Sequence, residues 1–409
     1  MFAKILGLFI SIATLFWGAP VASGQWNSDD FTQRVNLFLA QHNLPGMVLI
    51  IKKDGQDVHR AAYGKVNVKS GPAMAEDAIF RLFSMSKPIT AVAVLQLVER
   101  GLISLDDDVR QHLPGFDPFE FDGEPQVMTV HQLLAHTSGL DYGGGIDSWN
   151  GIRFLLANPL SRSNTLADMV DDISGIGLKF IPGERWSYSV ASDVQGALVE
   201  AVSGMTLDTY FQQNIFAPLG MTDTGFYVPK AKAHRLVDHY IYDAEGIEAL
   251  KIFDASEISL EERGAKSDYL EKPNLLSGGG GLVSTAEDYS RFVDMLMNKG
   301  VYQDQRVLSE DMIAAMLTSH TRGLDTWFLP LIYNQTGFGY GLGVKEESGD
   351  PRGKGSFYWA GMGGTVFWGD PQNGVSVVAM MQVEDGWVAL ERWLIPEIYG
   401  RLRATHPAN

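Results

Sequence analysis

SMSK at Ser84–Lys87 runs directly into the apolar segment PITAVAVLQLVE at residues 88–99, a pattern that predicts a buried helix with proline in its first turn. Positions i and i+3 are neighbours on one helix face, so the Lys87 ammonium can lie beside the Ser84 hydroxyl. An amine there can accept the serine proton and turn a weak alcohol into a nucleophile. A chain of this length contains roughly one Ser-x-x-Lys by chance, so a solvated helix start is the alternative.

The composition narrows the function classes. The chain has 409 residues and a formal net charge of −17, which disfavours partners such as nucleic acid or anionic membrane surfaces. It contains no cysteine, so thiol catalysis, disulfides and cysteine-ligated metal are excluded. We expect a small-molecule substrate, no cofactor and no metal. The sequence does not indicate an oligomeric state.

The N-terminus has the three parts of a secretory signal: a lysine at position 4, an apolar run over residues 5–17 and small residues over 18–24. We predict a signal peptide over residues 1–24, cut near Ala22 or Gly24, and a periplasmic or secreted protein. An uncleaved N-terminal anchor is the alternative. No later segment is long and apolar enough to span a membrane.

The order of predicted elements indicates an α+β fold. A helix at Asp30–Gln41 precedes strands at Met47–Lys53 and Gln56–Tyr63, which Asp54-Gly55 joins as a hairpin. The middle of the chain is mainly helical, with helices at Val130–Ala135, Thr165–Ile173, Val190–Val202 and Leu207–Ile215. Later strands are predicted at Phe338–Val344, Thr365–Trp368 and Val375–Met381, before a last helix at Val388–Ile398.

Both chain ends must therefore build one antiparallel sheet, with a helical part inserted between them. We place the sheet part of the 25–409 domain at about residues 25–105 and 277–405, and the helical part at about 106–276. A catalytic cleft between the two parts is the natural outcome.

Two further stretches could carry chemistry. Tyr188 follows a Pro-Gly turn and precedes an apolar helix, and a phenol beside an ammonium can act as a general base. The alternative is a core tyrosine with a satisfied hydroxyl. The segment 355–364 is rich in small residues, so the amide of Met362 could pair with that of Ser84 as an oxyanion hole. Its alternative is a glycine-bearing bulge on an edge strand.

These stretches, in this order, resemble the serine beta-lactamase and penicillin-binding-protein-like hydrolases, and most of all the class C branch and the related family VIII carboxylesterases. VHQLLAHTSGL at 130–140, SGGGGLVSTAED at 277–288 and YGLG at 340–343 fit the same family. The resemblance implies a beta-lactamase-like fold. It also implies that Ser84 is the nucleophile, Lys87 and Tyr188 accept its proton, and Ser84 and Met362 supply the oxyanion amides.

Two departures from the family pattern matter. The Tyr-x-Asn of the family is here Tyr188-Ser189-Val190, and its third motif, usually Lys-Thr-Gly or His-x-Gly, falls on Trp359-Ala360-Gly361. Tryptophan offers an apolar face and one N–H but no cation for a substrate carboxylate. Both changes favour the esterase branch, with Trp359 and Gly361 as substrate-binding residues.

Other candidates are weaker. Ser192-Asp193-Val194 lacks the asparagine of a Ser-Asp-Asn motif and lies in a predicted helix, so we interpret it as a chance resemblance and not as a catalytic motif. His136 is the best partner for a conventional Ser-His pair, but its segment looks structural in the family. No Gly-x-Ser-x-Gly elbow occurs, which disfavours an alpha/beta-hydrolase. Five other histidines show no spacing typical of metal ligands: His59, His112, His234, His239 and His320.

The sequence thus predicts a serine hydrolase of carboxylic esters with short acyl chains or compact aryl groups. A class C-type beta-lactamase or D-Ala-D-Ala carboxypeptidase is the alternative, and a non-catalytic penicillin-binding-like protein is a third possibility. The apolar segment 324–333 is interpreted either as a lid or pocket wall or as a packed loop.

Overall fold

The computed structural model describes residues 26–67, 71–113, 115–116, 119–143, 148–242, 260–262, 269–324, 336–347 and 351–405. The predicted signal peptide and almost all of segment 324–333 lie outside these ranges. No helix among the described residues is both long and apolar enough to cross a membrane.

The described helices are α1 Ser28–Gln41, α2 Lys87–Glu99, α3 Val130–Leu134, α4 Trp149–Ala157, α5 Leu166–Ser174, α6 Ala191–Ser203, α7 Leu207–Phe211, α8 Ala217–Leu219, α9 Ala286–Met297, α10 Glu310–Met316 and α11 Gly386–Thr405. Short 3₁₀ turns occur at Phe83–Ser86, Val109–Gln111 and Lys230–Arg235, and a π-helical turn at Gln212–Phe216 continues α7. Helices α1, α2, α3, α5, α6 and α7 follow the sequence predictions to within a few residues, α11 continues beyond the predicted end at Ile398, and α4, α8, α9 and α10 have no counterpart among the predicted helices.

The described strands are β1 Gly46–Lys53, β2 Gln56–Gly64, β3 Phe80–Arg81, β4 Phe119–Phe121, β5 Glu124–Gln126, β6 Tyr240–Tyr242, β7 Leu260–Glu262, β8 Val283–Ser284, β9 Val301–Tyr302, β10 Gln305–Arg306, β11 Thr336–Phe338, β12 Gly343–Lys345, β13 Phe357–Gly361, β14 Thr365–Asp370 and β15 Val375–Met380. A seven-stranded antiparallel sheet runs in the order β11-β12-β13-β14-β15-β1-β2. Both ends of the chain therefore build one sheet, as the sequence predicts.

Both faces of this sheet are buried. Along β1, the side chains of Met47, Leu49 and Ile51 join one hydrophobic core, and those of Val48 and Ile50 join the other. This alternation follows from the two-residue period of a strand. Helices α1 and α11 cover the first face, while α9 and the helical part cover the second.

The hairpin between β1 and β2 forms at the predicted residues. Asp54 and Gly55 have φ values of 50° and 76°. Two successive positive φ values give a type I′ turn, which matches the twist of the flanking strands. The first strand pair of the sheet is thus fixed by local sequence.

One predicted strand is wrong. The segment Phe338–Val344 does not form a single strand, because β11 ends at Phe338 and β12 begins at Gly343. Gly341 lies in the turn between them with a φ of 76°, and a Cβ there would lie 3.0 Å from the Lys87 carbonyl oxygen. The turn packs on the backbone of α2, a tertiary contact that the alternating pattern does not report.

Helix α2 lies in the centre of the molecule. Its residues are mostly apolar and are buried from Lys87 to Leu97, which is the pattern of a helix enclosed by other elements. It packs against α6 of the helical part. The first turn of α2 therefore starts where the sheet and the helical part meet.

Candidate active site

The backbone before Ser84 takes an unusual conformation. Phe83 has a φ of 46°, which is rare for a bulky residue, and its ring packs against Gly363 so closely that a Cβ there would lie 2.5 Å from it. Ser84 lies in the 3₁₀ turn Phe83–Ser86 that leads into α2, rather than in α2 itself. Backbone strain of this kind is concentrated at functional sites.

The hydroxyl of Ser84 meets the amine of Lys87. Lys87 Nζ donates to Ser84 Oγ over 3.1 Å and to the carbonyl oxygen of Gly279 over 2.6 Å. Lys87 is only 1% exposed, so this ammonium relies on protein groups rather than bulk water. The i, i+3 contact expected from the tetrad is present.

Tyr188 lies next to this pair. Lys87 Nζ is 4.6 Å from the centroid of the Tyr188 ring. The ring is held by Trp359 at 5.5 Å, by stacking on His136 at 5.3 Å and by Trp186 at 6.3 Å between centroids. A phenol fixed in this way needs little reorganisation to act on the Ser84–Lys87 pair.

The end of β13 approaches the Ser84 turn closely. A Cβ on Gly361 would lie 2.1 Å from the Leu82 carbonyl oxygen and 2.4 Å from Thr365 Oγ1, so only glycine fits there. Met362 follows directly, and its backbone N–H has no acceptor among the described residues. Strand β13 lies between β12 and β14, so the alternative of a bulge on an edge strand is wrong.

These residues share one cavity of about 490 Å³. Its described lining comprises Phe83, Ser84, Lys87, Tyr142, Leu160, Tyr188, Asp193, Ser277, Gly279, Gly280, Tyr358, Trp359, Ala360, Met362, Asp385 and Trp387. Five of the sequence-predicted site residues are in this lining, while Gly361 lies behind it, against the Ser84 turn. The walls are mostly aromatic and aliphatic, which suits a compact apolar ligand.

Sequence reasoning missed Asp193. It lies in α6 as predicted, but it is 1% exposed and lines the cavity. Its Oδ1 accepts hydrogen bonds from Ser277 Oγ and from the Gly279 N–H, and Gly279 in turn binds Lys87. Burial raises the pKa of Asp193, and the nearby Lys87 charge opposes that rise. The sequence feature that could have indicated this role is a carboxylate in the first turn of an apolar helix.

Tyr142, Asp385 and Trp387 were also missed. Tyr142 has its ring centroid 5.8 Å from Lys87 Nζ, and burial raises the pKa of its phenol well above the usual range. Asp385 and Trp387 lie at the junction of β15 and α11. No local motif marks these three residues, because only the tertiary fold brings them to the cavity.

His136 does not meet Ser84. It is fully buried and outside the cavity lining, and its Nδ1 accepts from the backbone N–H of Ser189 over 3.2 Å. Burial, and then the charge of Lys87, lower the pKa of His136 to about 3. We therefore interpret His136 as a neutral, structural side chain that holds the loop carrying Tyr188. Within the described ranges, no group of three or more His, Asp or Glu side chains could hold a metal ion.

The comparisons with known proteins agree on one family. A profile of the beta-lactamase family matches residues 31–395. Esterase EstB of Burkholderia gladioli is 33% identical, with 84% of this chain and 87% of that protein covered. Penicillin-binding protein 4 of Amycolatopsis lactamdurans is 28% identical, with 78% and 76% covered. Among solved structures, EstCE1, a hydrolase with promiscuous acyltransferase activity, superposes with a TM-score of 0.78 at 26% identity, covering 92% of this chain and 98% of that one.

Proposed function

The chain belongs to the beta-lactamase family of serine hydrolases, and from this premise we propose that it cleaves carboxylic esters through an acyl-enzyme on Ser84. The observation that carries the proposal is the 3.1 Å contact between Lys87 Nζ and Ser84 Oγ in a cavity that Tyr188 also lines. The similarity to an esterase over most of both chains supports the choice of ester substrates.

The first half of the reaction forms the acyl-enzyme. Ser84 Oγ attacks the ester carbonyl carbon and passes its hydroxyl proton to the Tyr188–Lys87 pair, which at that moment holds one proton fewer than a phenol and an ammonium together. The carbonyl oxygen becomes an oxyanion, which the backbone N–H groups of Ser84 and Met362 stabilise. The carbon–oxygen bond to the leaving group then breaks, and the leaving alcohol takes up the proton.

The second half releases the acyl group. The same Tyr188–Lys87 pair removes a proton from water, and the resulting hydroxide attacks the acyl carbon. A second oxyanion forms and collapses, and Ser84 recovers its proton. The products are the carboxylic acid and a free serine.

The cavity walls indicate the ester class. A volume of about 490 Å³ lined by Trp359, Tyr142 and Leu160 suits short acyl chains or compact aryl groups. Trp359 is only 6% exposed and packs edge-to-face on Phe338, with centroids 5.2 Å apart. It therefore forms a rigid wall rather than a movable side chain.

The second candidate is beta-lactam or D-Ala-D-Ala peptide chemistry on the same serine. The similarity to a penicillin-binding protein favours it. Against it, Lys87 is the only lysine or arginine among the described lining residues, and it is bound to Ser84 and Gly279. A substrate carboxylate therefore has no cationic partner of its own. Nitrocefin turnover equal to or above ester turnover would favour this candidate.

We also propose that the protein is exported to the periplasm or secreted, as the composition of residues 1–24 suggests. Cell fractionation of the full-length chain, with N-terminal sequencing of the product, tests this. A product that starts near residue 25 outside the cytoplasm is expected. A full-length cytoplasmic product would contradict it.

The function is tested with p-nitrophenyl acetate and butyrate on the wild type and on Ser84→Ala. We expect hydrolysis by the wild type and at least a thousandfold loss in the variant, since the nucleophile is gone. A fluorophosphonate probe should label the wild type and an exposed-serine control, Ser163→Ala, but not Ser84→Ala. A folded wild type with neither turnover nor label would identify a non-catalytic protein.

A further inference from the structure

The turn between β15 and α11 carries an acidic residue into the cavity. Asp385 has a φ of 58°, and its backbone N–H donates to the Met362 carbonyl oxygen over 2.7 Å. This hydrogen bond fixes Asp385 beside the residue proposed to supply an oxyanion amide. The indole N–H of Trp387 donates to the Asp385 carboxylate, and both residues line the cavity.

The described lining contains one ammonium group and two carboxylates, which differ in their hydrogen-bond partners. The ammonium of Lys87 is bound to Ser84 and Gly279, and the carboxylate of Asp193 is bound to Ser277 and Gly279. Asp385 is the other carboxylate in this lining. Its charge is not matched by a second lysine or arginine there, so the wall near Met362 is negative.

The cavity that this carboxylate lines is also lined by aromatic residues. Trp359 and Trp387 present aromatic groups to the cavity, and the side chain of Met362 is exposed at 45%. Aromatic faces and a carboxylate together attract an organic ammonium, which is less strongly hydrated than a small ion. Burial and the adjacent Glu384 raise the pKa of Asp385, and a bound cation would oppose that rise.

We propose that the wall formed by Asp385, Trp387 and Trp359 selects esters that carry a quaternary or tertiary ammonium group and rejects those that carry a carboxylate. The inference rests on the proposed function, because the ester carbonyl must lie at Ser84 while the ammonium lies against this wall. Rejection follows from like-charge repulsion at Asp385, and the described lining residues include no lysine or arginine other than Lys87 to attract a carboxylate.

The expected effect is moderate. A cation held by one partly exposed carboxylate and aromatic faces gains about tenfold in affinity over an uncharged group of the same shape. The gain should shrink as salt is raised, because the cavity is open to solvent and its charges are screened.

The test uses a matched pair of esters, acetylcholine and its uncharged carbon isostere, 3,3-dimethylbutyl acetate. The ratio of their kcat/KM values cancels damage to the fold or to Ser84. We expect a ratio of about ten in the wild type, a ratio near one in Asp385→Asn and an unchanged ratio in the exposed control Asp304→Asn. A wild-type ratio near one, or a ratio that survives Asp385→Asn, overturns the proposal.

A binding measurement separates this proposal from the proposed function. Choline and 3,3-dimethylbutan-1-ol are titrated by calorimetry against the wild type and Asp385→Asn, which requires no turnover. We expect tighter binding of choline to the wild type and equal binding of both ligands to the variant. Equal binding to the wild type overturns the cation site even if esters are hydrolysed. If choline binds more tightly than its isostere but no ester is hydrolysed, only the proposed function is overturned.

Discussion

Replacing Tyr188 by phenylalanine removes one hydroxyl group and leaves the ring in place. The contacts of that ring with Trp359, His136, Trp186 and Lys87 do not involve the hydroxyl, so the fold should lose only about 1 kcal/mol of stability. A general base contributes roughly a hundred- to ten-thousandfold in rate, or about 2.7 to 5.5 kcal/mol in the activation free energy. The catalytic loss should therefore far exceed the loss of stability.

The assay is steady-state hydrolysis of p-nitrophenyl acetate together with urea unfolding of the same samples. Tyr142→Phe is the matched control, because Tyr142 lines the same cavity and its ring also faces Lys87, at 5.8 Å. We expect this control to keep kcat within about tenfold of the wild type. If Tyr188→Phe keeps a third of the wild-type kcat, or if both variants lose activity equally, the assignment of Tyr188 as the base is wrong.

Three further variants test the surroundings of the site and the fold. Asp193→Asn keeps an acceptor for the Gly279 N–H but removes the charge near Lys87. The kcat should therefore fall about tenfold or more at an unchanged KM, and an unaltered kcat would contradict this role of Asp193. Gly361→Ala introduces a Cβ 2.1 Å from a backbone oxygen and should abolish activity or lower the melting temperature, whereas Gly400→Ala, with open space, should do neither. Glu391 is 1% exposed without a hydrogen-bond donor among the described residues, and burial raises its carboxyl pKa well above 4.5. Above about pH 5 the unfolded chain loses this proton while the folded chain keeps it, so the free energy of unfolding should fall by up to about 1.4 kcal/mol per pH unit. Urea unfolding at several pH values should show this slope in the wild type and not in Glu391→Gln. Identical slopes in the two proteins would refute the raised pKa of Glu391.

Local sequence determines the parts of this molecule that could be predicted. The contact between Ser84 and Lys87 depends only on helical spacing, and the Asp54-Gly55 turn depends only on backbone preferences. The Pro-Gly turn before an apolar helix marks Tyr188 as a candidate base, and the resemblance links it to Ser84, which spacing alone does not. These features follow from short stretches of the chain.

The remaining features arise from contacts between distant segments. The strand expected at Phe338–Val344 is interrupted because Gly341 packs on α2, a contact that an alternating pattern does not reveal. A motif comparison does not identify Asp193, which lies at the site through the hydrogen bond that its carboxylate accepts from the Gly279 N–H. Asp385 reaches the cavity through a turn whose backbone is hydrogen-bonded to Met362, in the turn between β13 and β14.

Every role proposed for the site requires an acyl group to form on Ser84, and peptide mass spectrometry of an acid-quenched reaction tests this directly. Wild-type protein mixed with excess p-nitrophenyl butyrate should carry a butyryl group on the peptide that contains Ser84. That group should be absent in Ser84→Ala and should disappear as the ester is consumed. Ester turnover with no acyl group on that peptide, or with an acyl group on another residue, would contradict the account.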